Sequence, residues 1–127
     1  RALGRDAEGE QVLREGLAAL PNDASLHHAL GLLLIRKQDL PGAVASLARA
    51  AQLAPDNPRY PYVQALAVQR AGDLPQALAI LDAAHQRHPA DRDILAALVA
   101  FNQESGNQEA ALEYARLLKQ RSSGSSH

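Results

Sequence analysis

AGDLPQALAILDAAHQRHPAD, residues Ala71 to Asp91, holds a turn, a helix and a stop in that order. Gly72-Asp73-Leu74-Pro75 is a turn leading into a helix start, and Gln76 to Arg87 carries apolar residues at helical spacing. Pro89 forbids continuation, and Asp91 is placed to cap the next helix. The same device recurs upstream, from Gln38-Asp39-Leu40-Pro41 through Pro55-Asp56-Asn57, and weaker copies start at Gly4 and Gly106.

The recurrence has a fixed period. Pro21, Pro55 and Pro89 are 34 residues apart, twice over, and a period in this range is the signature of a repeat architecture. Other columns keep the same register: Gly4, Gln38, Gly72 and Gly106; Gly9, Ala43, Ala77 and Ala111; Gly16, Ala50 and Ala84; Asp23, Asn57 and Asp91. Each unit divides into two helices. First helices are expected at about 24–37, 58–71 and 92–105, and second helices at about 41–53, 75–87 and 109–120. Asp23, Asn57 and Asp91 are the expected N-caps, with Pro58 at a first helical position where its missing N–H costs nothing. Pro61 falls near the fourth position of its helix and predicts a late or distorted start.

The domain reading is one array over 1–120, made of a half unit 1–23 and units 24–57, 58–91 and 92–120. In the half unit, Arg1 to Gly4 reads as a helix end and Asp6 to Ala19 as a whole second helix. Residues 121–127, ending Ser122-Ser123-Gly124-Ser125-Ser126-His127, read as a linker leading into a tag. The chain opens on Arg1 rather than Met, as a piece of something longer would. Leu118 stands where Gly16, Ala50 and Ala84 are small, and no proline follows Gln120, so the array is expected to stop there.

Small residues mark where helices cross closely. Gly31, Ala65 and Val99 are the eighth residues of their units, and Ala43, Ala77 and Ala111 the twentieth. A bulky side chain at such a crossing would hold the helices apart. Leu47 and Leu81 fill the space beside it.

Composition narrows the class. Hydrophobic residues make up 46% of the 127 and aromatics 3%, with Ala and Leu dominant, which favours packed helices over a β-sandwich. A net charge of -1 points no strong field at nucleic acid or membrane. No run approaches the ~18 apolar residues of a membrane span, and no signal peptide is visible. The absence of Cys excludes disulfides, zinc–thiolate sites, c-type haem attachment and a cysteine nucleophile. Arg outnumbers Lys 11 to 2 in an Ala-rich chain, a composition that fits a GC-rich bacterial coding sequence.

Together these columns resemble the tetratricopeptide repeat. The residues that carry the resemblance are Leu30-Gly31, Gly72, Ala77 with Leu81, Ala84 and Pro89, over about residues 1–120. There are departures. The family's early Trp is replaced by His27, Pro61 and Leu95, its first-helix Tyr by Leu34, Val68 and Asn102, and one turn Gly by Gln38. The resemblance implies an all-α fold, a right-handed α-solenoid of antiparallel helix pairs with about three and a half units and seven helices. First helices would line a concave groove and second helices the convex back. It implies a non-catalytic scaffold that binds a protein or peptide in the groove, without cofactor.

By register, the groove would present Ser25, His28, Leu32, Ile35 and Arg36 from the first unit; Arg59, Tyr62, Leu66, Gln69 and Arg70 from the second; and Asp93, Ala96, Ala100, Gln103 and Glu104 from the third. Tyr and Arg are the side chains that most often dominate interface energetics. The functional reading is a mildly basic, aromatic-bearing groove for an extended or helical segment. The blander one has Arg36 and Arg70 solvated or paired with Asp93 and Glu104. One subclass of the family grips a C-terminal carboxylate with Lys and Asn. Its positions here hold His28, Ala29, Leu32 and Arg59, so that activity is not expected.

Other chemistry finds little support. His85 and His88 are three apart with only Asp82 nearby, short of the four ligands a structural metal site takes. Gly4 to Gly9 has phosphate-loop spacing, but Glu10-Gln11 follows where Lys and Ser or Thr are required. Glu10 is placed to pair with Arg14 on a solvated face. His27 and His28 are adjacent, so His27 is expected between helices and His28 in the groove. Neither a nucleophile elbow nor a basic stripe with interleaved aromatics occurs. The alternative role is structural: self-association or intramolecular docking through the terminal helices. Val12, Leu13, Leu17 and Leu20 at one end, and Leu112 and Leu118 at the other, would then meet a second copy or another part of the parent chain.

Overall fold

A computed structural model describes residues 2–124, with side chains placed over 4–121. The described residues form seven helices and no strand: α1 Ala2–Ala19, α2 Ala24–Arg36, α3 Leu40–Leu53, α4 Arg59–Arg70, α5 Leu74–Arg87, α6 Arg92–Ser105 and α7 Gln108–Gly124. Each helix packs on its neighbours in the chain, and α4 also touches α6.

Caps set the helix starts. Asp23 and Asp91 accept from the amides of Leu26 and Ile94 at 3.1 and 2.9 Å. Asp39, Asp73 and Asn107 do the same for Gly42, Gln76 and Ala110 at the second helices. Asn57 instead bonds the Arg59 amide, two residues on. With Pro61 removing a donor from the first turn, α4 starts at Arg59, one residue behind the register of α2 and α6.

The turns inside the pairs are three copies of one motif. Asp39, Asp73 and Asn107 each donate their backbone N–H to a carbonyl five residues back, those of Leu34, Val68 and Asn102. The residue before each is left-handed: Gln38 at φ 66°, Gly72 at 97° and Gly106 at 86°. This is the closure that glycine fits best, and Gln38 adopts it against its side chain's preference.

At Gly4 the expected turn is absent. Helix α1 runs unbroken from Ala2 to Ala19, so the helix end expected at Arg1–Gly4 is absent over Ala2–Gly4, and Arg1 lies outside the described residues. One period before Asp39 and Pro41 the chain has Arg5 and Ala7, so no side chain caps a new helix and no proline starts one. Helix α7 also departs from expectation. It passes Gln120 and continues to Gly124, since nothing earlier breaks it, so the expected tail begins as helix. Residues 125–127 of that tail lie outside the described residues.

The small columns explain the packing. A Cβ on Gly31 would stand 2.5 Å from Leu47 Cγ, so α2 and α3 cross at contact distance. Ala43, Ala65, Ala77, Leu47 and Leu81 are wholly buried. The third unit reverses the arrangement. Val99 replaces the small residue, and Ala115 stands in the register of Leu47 and Leu81, so the sizes are exchanged across the crossing. Above this, α4, α5 and α6 share one cluster that includes Val68, Leu81, Ile94, Leu98 and Phe101, and Tyr114 of α7 packs against it. Leu47, Val63 and Ala67 tie α3 to α4, and Leu30, Leu34 and Ala43 tie α2 to α3. Asn102, in the family's Tyr column, is buried with its amide donating to the Leu98 carbonyl at 2.8 Å.

Candidate functional site

The first helices α2, α4 and α6 carry the groove residues, and their packing brings part of that set together. Leu32, Ile35, Arg59, Leu66, Gln69 and Arg70 line one hollow of about 390 Å³ between α2 and α4. Val63 and Ala67 complete its floor. They are buried against Leu47 and were outside the expected groove set, because the register placed them in the helix contact.

Helix α6 joins the hollow through its acids. Gln69 Nε2 donates to both carboxylate oxygens of Glu104, at 3.1 and 3.0 Å. Arg59 Nη1 lies 4.0 Å from Asp93 Oδ2, and its guanidinium stands 5.6 Å from the centre of the Tyr62 ring. Tyr62 itself packs against the core clusters rather than lining the hollow.

Arg36 pairs with neither Asp93 nor Glu104. It donates to Asp6 of α1, whose side chain is 9% exposed. One signal could have shown this partner: Asp6 is an acid in the register of Leu40 and Leu74. Arg70 is exposed and makes no hydrogen bond or ion pair among the described residues.

Other expected residues lie apart. Ser25 Oγ donates to Asp23 Oδ1 at 2.6 Å and serves its own helix cap. Gln103 is exposed and does not line the hollow, and Ala96 and Ala100 are exposed on α6. His28 stacks on Tyr60, ring centres 4.6 Å apart, and its Nδ1 is buried without a partner among the described residues. Burial, followed by the Arg59 charge, holds the His28 pKa below the usual histidine value. Of the carboxylate-gripping positions, Ala29 and Leu32 are uncharged and His28 favours its neutral form, which leaves Arg59. His27, half-buried, sets its Nε2 2.8 Å from the Pro21 carbonyl oxygen at the α1–α2 turn.

A larger hollow of about 710 Å³ lies between α1 and α2, with Gly9, Val12, Leu13, Ala29 and Leu33 among its lining. One period on, Gly9, Leu13, Ala29 and Leu33 become Ala43, Leu47, Val63 and Ala67, the surface on which α2 lies. No described helix occupies the equivalent place over α1. Glu10 pairs with Arg14 at 2.8 Å and also with Lys37 of the α2–α3 turn at 2.6 Å. On the second helices, His88 Nε2 is 3.0 Å from the Pro55 carbonyl oxygen, Tyr114 donates to Asp82 at 2.9 Å, and His85 meets the Tyr114 ring edge-on. Burial and the Asp82 contact push the Tyr114 hydroxyl up to about 12. No group of three metal-ligating side chains forms among the described residues. None of the described helices is long and apolar enough to cross a membrane.

Solved structures of MamA, a helical tetratricopeptide-repeat solenoid, superpose along nearly the whole chain. One gives a TM-score of 0.87 at 14% identity and covers 98% of this chain and 73% of its own. MamA MSR-1 gives 0.78 at 21% identity, covering 98% and 71%. The chain has the tetratricopeptide-repeat fold. The TPR repeat-containing protein YpiA of Bacillus subtilis (strain 168) is 26% identical over 110 residues, or 87% of this chain. The chain spans about a quarter of that relative's length, 26%. No family model matches the sequence. Tetratricopeptide-repeat arrays are in general scaffolds for protein–protein interaction.

Proposed function

We propose that the concave side of α2, α4 and α6 binds a segment of a protein partner, extended or helical. The observation that carries this reading is the hollow itself, where Leu32, Ile35, Arg59, Leu66, Gln69 and Arg70 converge on one opening. Apolar floor and polar rim are the usual anatomy of a recognition surface. Leu32 is 43% exposed there, so a partner that covers it removes apolar surface from water.

The test is affinity capture from a soluble bacterial extract, with the parent protein beside a Leu32→Ala, Arg70→Ala double variant of two exposed lining residues. The expected result is a protein retained by the parent and lost by the variant, at unchanged helicity. Equal retention by both defeats the groove reading.

A second reading rests on the exposed ends. Val12 of α1 and Leu20 just after it are 65% and 57% exposed, and Leu112 of α7 is 57% exposed, while Leu118 is half-buried. Self-association or docking within the parent chain would cover them. Light scattering over a range of concentrations decides between monomer and dimer, and a strict monomer removes self-association.

A further inference from the structure

We infer that the hollow between α2 and α4 selects a partner segment in which a large apolar side chain lies within two residues of a carboxylate. The inference rests on the groove reading above and gives the chemistry of the segment.

The apolar half follows from the lining. Ile35, Val63 and Ala67 form a floor already packed on the core, with Leu32 and Leu66 beside it. The floor offers no charged group to a side chain that enters. A polar side chain placed there would lose its water without gaining a partner, whereas an apolar one loses nothing.

The charged half follows from which cations remain open. Three arginines border this region, and two have acids of their own. Arg36 is paired with Asp6, and Arg59 faces Asp93 while leaning on Tyr62. Glu104 stands in the Arg70 register one unit on, and both its oxygens are taken by Gln69. Arg70 therefore lies on the rim of an apolar hollow with its guanidinium donors unused by the described residues. A planar fork of N–H donors in that setting fits a carboxylate in two-point contact. A phosphorylated segment fits less well. It would bring a doubly charged group toward Asp93 and Glu104 with one open arginine to receive it, where phosphate recognition takes clustered arginines. A basic segment would meet Arg70 as a like charge.

Short random peptides displayed on phage and selected against the whole chain test this. The expected consensus has Leu, Ile or Phe with Asp or Glu within two residues. Arg70→Glu weakens such peptides about tenfold, the scale of one charge-assisted contact. Exchanging the peptide's acid for Lys restores binding to that variant. Leu32→Trp, which fills the hollow, also abolishes binding. Other outcomes separate the two readings. Peptides lost on Ala100→Trp, which crowds the groove at α6, but kept on Leu32→Trp and Arg70→Glu overturn the inference and leave the groove reading in place. Peptides kept on all three variants, or no selected peptide at all, overturn both. A consensus of basic or phosphate-mimicking sequence without the apolar residue overturns the inference alone.

Discussion

Leu13, Leu47 and Leu81 occupy the same place in successive second helices, yet their surroundings differ. Leu47 and Leu81 are wholly buried, while Leu13 is half-buried and its neighbour Val12 is 65% exposed. The difference lies outside the residues themselves. Leu47 is covered by α2 and Leu81 by α4, but α1 has no first helix over its matching face among the described residues. In a stacked array a position is buried by its neighbour, so identical sequence columns need not share a burial state. The region from α4 to α6 shows the full effect, with one continuous buried cluster through three helices and Tyr114 of α7 packed against it.

The comparison breaks most directly by truncation. Leu81→Ala is expected to cost about 2–5 kcal/mol, as for a fully buried leucine whose cavity cannot collapse. Leu13→Ala is expected to cost about 1 kcal/mol, the share of the burial free energy that a half-buried leucine holds. Chemical denaturation of both variants checks this, and equal losses would mean that α1 is as well covered as α5. The small-residue column sharpens the same point. Ala77→Leu overpacks a closed crossing and should cost about 1–3 kcal/mol. Its counterpart Gly9→Ala meets only Leu33 Cδ2 at 3.6 Å, ordinary contact. It should stabilise by about 0.5–1 kcal/mol through the backbone freedom removed from a mid-helix glycine. Thermal melts of opposite sign are the expected outcome.

The turns allow a gentler comparison. Gln38 holds the left-handed conformation that glycine holds at 72 and 106. Gln38→Gly should raise stability by up to about 1 kcal/mol, the difference between the relieved strain and glycine's greater freedom when unfolded. A lowered melting midpoint would show that the glutamine side chain contributes more than its backbone costs. The smallest effect expected concerns protons. Because the folded protein holds His28 below its ordinary pKa, the unfolded chain binds the proton more readily. Stability from this residue is present above about pH 6.5 and falls as pH drops from there toward the depressed folded value. His28→Phe should flatten that part of the pH–stability curve while keeping the stack on Tyr60. An unchanged slope would assign the acid sensitivity to other groups.

Much of the architecture was legible because it is written in local signals. Asp39 and Asp73 as caps, Pro41 and Pro75 at helix starts and the left-handed residue before each cap act within a few residues of themselves. Gly4 misled for the same reason. Its column matched, but Arg5 and Ala7 lack the cap and the proline, so the helix continued. The groove was partly legible. Of the register set, Leu32, Ile35, Arg59, Leu66, Gln69 and Arg70 line one hollow, whereas Ser25 turns to its own cap, and Val63 and Ala67 line the hollow from outside that set. Register offered Arg36 to the groove, or else to solvent or the acids of α6, whereas its partner is Asp6 on α1.

The sequence alone therefore determined the period, the seven helices and the turns between them, since caps, prolines and left-handed residues act on backbone that is already adjacent. Tertiary structure decided which side chains share the hollow and which charges remain open. Asp6 meets Arg36 and Gln69 meets Glu104 across 30 and 35 residues of chain. Such pairings depend on how far each helix is turned and shifted against the next. That geometry is set by side-chain volumes at crossings within a unit, such as Gly31 on Leu47, and between units, such as Ile35 on Val63 and Ala67.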